Sequence, residues 1–238
     1  MVLKMRVLGH TAAGTAPASQ GAVGSGHAIE VVSWTVGRDL ACARLPLQGS
    51  RRSRVVRIAA KKELASKLWA FLVASADQGA SQWRHPEIIT GPLGRPLLLV
   101  GGRPMTNISF AYSLSDVWAA LCLPGWNCGV DVAWPEEFTT GYPFAKVFTE
   151  SELSKLERMN RDRASAAAIL WSAKEAAVKA WGCGFHYMGW RDIRIESLRW
   201  TGASYDLWIR PEGLRGLSML PVQVRAIDRY WVAVAIDR

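Results

Sequence analysis

Long apolar runs are missing from this 238-residue sequence: there is no stretch of about 18 consecutive apolar residues, so no helix that crosses a membrane is expected. The first residues carry Lys4 and Arg6 without an apolar block of signal length, which argues against secretion. Cysteine is scarce. Cys42, Cys122, Cys128 and Cys183 are the whole set, and no two stand in C-x-x-C spacing. That argues against a zinc site and a disulfide framework, and suits reduced thiols in a cytoplasmic protein. Acids are in deficit, 20 against 29 Lys and Arg, for a net charge of +9. Such a charge suits an acidic partner (nucleic acid, a phosphate-rich cofactor or an acidic protein), although solubility alone accounts for it too. No RNA or DNA motif and no interleaving of basic and aromatic residues is present, so nucleic acid is set aside.

Hydrophobic residues make up 50% of the chain and 12 residues are Trp, enough for one large domain or two small ones with a sizeable core. Residues 1–27, dominated from Leu8 onward by Gly, Ala, Ser and Thr, read as a flexible leader. Strands are expected at Ile29–Val36 and Asp39–Leu45, then a basic stretch, Gly49–Arg57, that is a solvated loop or an anion-facing patch. Leu64, Leu68, Phe71 and Leu72 recur at helical spacing within Lys61–Ala76. Strands follow at Glu87–Thr90, Leu97–Val100, Ile108–Ser113 and Val117–Leu123, with Arg95 in the turn between the first two. In the second half, a strand from Asn127 ends on Asp131, and Thr149 with Glu152 forms a capping box that opens a short helix. A long helix, Ala164–Trp181, is closed by Gly182, and four strands run to the C-terminus. His186 and Tyr187, after that glycine, read as packing residues. The element order is similar in the two halves. It predicts an α+β fold of two similar subdomains, 1–125 and 126–238, each an antiparallel sheet packed on a long helix, with a cleft between them.

The chemistry-bearing stretch is Trp171-Ser172-Ala173-Lys174-Glu175-Ala176-Ala177-Val178-Lys179. At 3.6 residues per turn, Trp171, Glu175 and Lys179 share a face, with Lys174 and Val178 beside them. Alone this is an ordinary i,i+4 ion pair, just as Asp131 alone is a strand-end turn residue. Together, Asp131 and Glu175 offer the one or two carboxylates that Mg²⁺ accepts alongside phosphate oxygens and water. The lysines then offer compact charges to a phosphate. That set suits phosphoryl transfer, with metal and cations to neutralise oxygens and a base for the attacking hydroxyl.

Gly129-Val130-Asp131 followed by the Trp171–Lys179 segment resembles the paired signature of the 4′-phosphopantetheinyl transferases, in particular their long, pseudo-dimeric Sfp-type branch. The likeness extends to Phe110–Ser115 with Trp118, to Gly94-Arg95-Pro96, to Phe148-Thr149-x-x-Glu152 and to the closing Tyr230–Ala235 strand, and covers roughly residues 90–238. The resemblance implies transfer of the phosphopantetheine arm of coenzyme A to a serine of an apo acyl or peptidyl carrier protein. The reaction would need Mg²⁺ and release 3′,5′-ADP, from a protein that is a cytoplasmic monomer. It implies Asp131 and Glu175 as metal ligands, and Glu175 as acceptor of the serine proton. It further implies Lys174 and Lys179 as phosphate contacts, with Lys179 near the reacting phosphoryl, and Arg95 and Ser113 as coenzyme A contacts. On the bland side, Arg95 reads as loop surface and Ser113 as a strand serine. Two positions depart from the family pattern. Ala133 stands where a third carboxylate is common, and Leu114 where a histidine usually meets the 3′-phosphate. They motivate the alternative of a non-catalytic coenzyme A or carrier-protein binding module.

Overall fold

The computed structural model describes residues 6–7, 30–33, 40–47, 53–75, 86–139, 141–159, 161–183, 188–214 and 216–237. The leader expected over 1–27 lies outside the described residues except for 6–7, and so do His186, Tyr187, Arg51 and Arg52. Among the described residues the N-terminal half contains β1 (Arg6–Val7), β2 (Glu30–Ser33), β3 (Leu40–Pro46), α1 (Arg54–Ser75), β4 (Glu87–Thr90), β5 (Pro96–Val100), β6 (Arg103–Tyr112) and β7 (Asp116–Cys122). The C-terminal half contains β8 (Asn127–Ala133), α2 (Phe144–Val147), α3 (Glu150–Arg158), α4 (Arg163–Trp181), β9 (Ile193–Trp200), β10 (Tyr205–Pro211), β11 (Leu220–Ile227) and β12 (Tyr230–Asp237).

The first set forms a sheet in the order β1-β2-β3-β7-β6-β5-β4, the second a sheet in the order β8-β12-β11-β10-β9. This is the expected α+β arrangement of two similar subdomains, with one difference. The pair β1–β2 is parallel, whereas every other neighbouring pair is antiparallel.

Alternation along β7 and β8 explains how the halves stack. Val117, Ala119 and Leu121 of β7 face α1 and pack with Leu64, Leu68 and Leu72. Trp118, Ala120 and Cys122 point the other way and meet Cys128, Val130 and Val132 of β8 and Val232 and Val234 of β12. The layers therefore run α1, sheet, sheet, α4. The remaining β8 residues, Gly129, Asp131 and Ala133, alternate to the opposite side and face α4.

Helix α4 is buried along most of its length, with seven alanines on its packed faces: Ala166, Ala167, Ala168, Ala173, Ala176, Ala177 and Ala180. Asp162 caps its start, accepting the Ser165 N–H at 2.9 Å. Gly182 ends it at φ 75°, a left-handed conformation that costs a residue with a Cβ about 1–2 kcal/mol. Small side chains on the helix meet a glycine on the strand. A Cβ on Gly129 would stand 1.9 Å from the Ala176 carbonyl oxygen and 2.7 Å from the Ala180 nitrogen. Backbone touches backbone here, which brings the acid of β8 beside the acid and lysine of α4.

Candidate functional site

Asp131 is nearly buried at 9% exposure and pairs with Lys179, whose Nζ donates to Asp131 Oδ1 at 2.7 Å and to the Val130 carbonyl at 3.0 Å. Burial pushes the Asp131 carboxyl above its ordinary range, and the Lys179 charge opposes that push. Glu175 lies one helical turn before Lys179. Burial first, then the Asp131 charge, push its carboxyl up to about 7, again against Lys179. The two acids and the lysine thus act on one another across the β8–α4 contact.

Arg95 approaches from the other half of the molecule. It follows a 3-10 turn, Pro92–Gly94, in which Leu93 and Gly94 take positive φ. Its Nη2 donates to the Ala180 carbonyl at 2.9 Å, near the C-terminus of α4, where the helix dipole favours a cation. The guanidinium packs on Gly182, where a Cβ would come within 2.7 Å of Nη1. Arg95 Nε is buried without a partner, and burial holds the group below its ordinary pKa. Arg95, Lys179, Val178 and Gly182, with Phe110 and Tyr112 of β6 and Lys61 of α1, line a cavity of about 250 Å³ between the halves. A larger groove of about 780 Å³, between α3 and the β9–β10 edge, shares no lining residue with it and contains none of these acids.

Residues 127–235 match the family model of the 4′-phosphopantetheinyl transferase superfamily. A holo-[acyl-carrier-protein] synthase of Streptococcus sanguinis (strain SK36) is 43% identical over 61 residues, 25% of this chain and 50% of that protein. The chain therefore spans half the length of that curated relative. Among solved structures, a Thermotoga maritima holo-[acyl-carrier-protein] synthase is similar at TM-score 0.38 and 23% identity, over 46% of this chain and 61% of the other. A Chronobacterium ammoniagenes ACPS–CoA complex is similar at TM-score 0.39 and 21% identity, over 48% and 97%.

Within the matched segment, one expected site residue lies elsewhere. Lys174 is not a phosphate contact in this structure: it is fully buried on the other flank of α4. Its Nζ donates to Glu152 Oε2 at 2.8 Å, to the Trp190 carbonyl at 3.0 Å and to the Val147 carbonyl at 3.2 Å. Glu152 does form the capping box with Thr149, and its other oxygen accepts the Ile195 N–H at 3.0 Å, so one acid ties α3, α4 and β9 together. Ser113 is held in the β6–β7 turn, where Oγ donates to Asp116 Oδ2 at 3.0 Å and accepts the Asp116 N–H at 3.1 Å. Its neighbour Tyr112 lines the cavity. Ala133 is completely buried and Leu114 is exposed.

Two residues near the acids escaped the sequence reading. Glu137, on the 3-10 turn Pro135–Phe138 after β8, has its carboxyl raised by burial and then by the Asp131 charge, while accepting the Trp134 N–H at 3.4 Å. Burial, with Glu137 and Glu175 adding, pushes the Tyr142 hydroxyl up to about 12. Phe138 packs on Tyr142 and on Trp171, one helical turn before Glu175, which fixes this turn against α4. The acidic pair Glu136-Glu137 after a proline was the available sequence signal.

The donor set fits a hard divalent cation. Two oxygen acids, both held above their ordinary pKa by burial, would gain from a dipositive neighbour. Among the described residues no three His, Cys, Asp or Glu side chains converge into a metal cage.

Proposed function

We propose that the chain transfers the 4′-phosphopantetheine arm of coenzyme A to a serine of an apo acyl or peptidyl carrier protein, with Mg²⁺, releasing 3′,5′-ADP, as a member of the long Sfp-type branch. The observation that carries this reading is the Asp131–Lys179–Glu175 group, set beside a cavity between the halves. The division at residue 125/126, a monomeric state and a cytoplasmic setting with free cysteines belong to the same proposal.

Asp131 and Glu175 would hold the ion. Bound there, Mg²⁺ would draw charge from the diphosphate oxygens. Lys179, already fixed by Asp131 and the Val130 carbonyl, neutralises oxygens of the phosphoryl under attack. Arg95 holds the nucleotide side of coenzyme A near the C-terminus of α4. The carrier serine oxygen forms a bond to the phosphorus that bears the pantetheine. The phosphorus–oxygen bond to the ADP moiety breaks, and 3′,5′-ADP leaves with the electron pair. Glu175 takes the serine proton as general base, directly or through one water.

Ala133 and Leu114 favour a second reading, a coenzyme A or carrier-protein binding module without turnover. One experiment separates the two. The protein is incubated with Mg²⁺, coenzyme A and several apo carrier proteins, and carrier mass is followed. Addition of the arm supports the transferase. Calorimetric binding of coenzyme A with no mass change on any carrier supports the module.

A further inference from the structure

The groove of about 780 Å³ between α3 and the β9–β10 edge takes no part in the proposed transfer. Lys155 and Arg158 stand i, i+3 on α3 with Met159 directly after, and all three line it. Arg161 lines it too. Its Nε donates to the Tyr205 hydroxyl at 3.1 Å, and its guanidinium stands 5.9 Å from the centre of the Trp200 ring. Trp200 packs on the buried Tyr205 with ring centres 4.6 Å apart, yet 47% of its surface stays exposed. Three cations therefore share the groove with an exposed indole. Among the described residues no carboxylate lines the groove or pairs with any of the three.

The strand beside it has an open edge. β9 is last in its sheet, with β10 as its strand neighbour. Helix α3 closes the outer edge as far as Glu196. Glu152 accepts the Ile195 N–H at 3.0 Å, and Lys155 Nζ donates to the Ile195 carbonyl and, at 3.0 Å, to the Glu196 carbonyl. Past that point, among the described residues, no group outside β10 bonds to the main chain of Ser197, Leu198 or Trp200. An open strand edge takes another chain in extended form. Cations without partners call for acids on that chain, and Met159, Leu198 and the Trp200 face call for one apolar side chain. A single-stranded nucleic acid needs successive exposed rings for its bases, and this groove offers one. We infer that the groove docks an extended, acidic polypeptide segment, with an aromatic or aliphatic anchor on Trp200 and its acids on Arg158 and Arg161. The groove shares no lining residue with the cavity that contains Lys179, so docking here is independent of the proposed reaction.

The test is fluorescence anisotropy with a labelled peptide in which Asp and Glu alternate around one central Phe. The comparison probes are the same peptide with Ala for Phe, the same peptide with Lys for every acid, and a labelled oligothymidylate. Wild type, Arg158→Glu, Trp200→Ala and Lys62→Glu are titrated, and circular dichroism checks each fold. Lys62 is exposed on α1 and lies outside the groove, so its reversal controls for net charge. Wild type is expected to bind the acidic Phe peptide and to bind the Ala peptide about tenfold more weakly. Arg158→Glu and Trp200→Ala should each lose about tenfold or more, while Lys62→Glu stays within about twofold. If Trp200→Ala does not fold, Arg158→Glu decides alone, since that side chain is exposed. No binding of the acidic peptide, equal binding of the Lys peptide, full affinity in folded Arg158→Glu, or an equal loss in Lys62→Glu overturns the inference. Oligothymidylate that binds more tightly than the peptide and is lost in Arg158→Glu overturns it as well, and gives the groove to nucleic acid.

Discussion

Replacing Glu175 by glutamine is expected to make the metal-free protein more stable at alkaline pH while abolishing transfer. The carboxyl titrates near 4.5 when exposed and near about 7 in the fold. Between those values the native state keeps a proton that the unfolded chain has released, so stability falls as pH rises through the window. At about 1.4 kcal/mol per pKa unit, the full shift is worth about 3 kcal/mol of stability, present below the lower value and gone above the upper one. Glutamine has the same shape and no charge to desolvate. Urea denaturation in the presence of a chelator should therefore give equal stabilities for parent and variant at about pH 4.5 and a gap that opens to about 3 kcal/mol in favour of the variant by about pH 8. Adding Mg²⁺ should narrow the gap by raising the parent, because an ion that binds only the native state stabilises it. A difference independent of pH, or a parent more stable than the variant at alkaline pH, would refute the claim that a buried, charge-crowded carboxylate stands here.

Gly129→Ala should cost at least about 2 kcal/mol in the same assay, since its Cβ would strike helix backbone that has no rotamer to move. Lys174→Met should cost about 3–5 kcal/mol by stranding a buried carboxylate, and adding Glu152→Gln should recover part of it; an unaltered urea midpoint in the single variant would contradict the buried pair. Gly182→Ala should weaken coenzyme A binding about tenfold by displacing the Arg95 guanidinium, and calorimetry that finds wild-type affinity would remove Arg95 from the site.

Helix α4 was legible because its signals are local: alanine-rich composition, and a glycine that stops it at a left-handed residue. The capping box at Thr149 and Glu152 was legible for the same reason. Asp131, Glu175 and Lys179 were found by motif, and the β8–α4 contact brings them together. Lys174 was misplaced because helical spacing gives only angles around an axis. Which flank meets solvent depends on α3 and the edge of β9, and those contacts span residues far apart in sequence. Helix α1 begins at Arg54, earlier than the apolar spacing that starts at Lys61 suggests, because its first turns carry exposed residues with no periodic stripe. Glu137 and Tyr142 were missed since a short 3-10 turn has no periodicity to read, and its position is set by Phe138 lodging on Trp171.

The missing side chain at Gly129 has a consequence for how the protein can evolve. The gap between the two acids is set by main chain resting on main chain, a contact that drift in surrounding core side chains barely alters. Cavity walls, arginines and lysines can therefore change to suit different nucleotide or carrier shapes while the spacing of the acids stays put. Selection for a new partner would act on the rim of the cleft and leave the two acids at its floor alone.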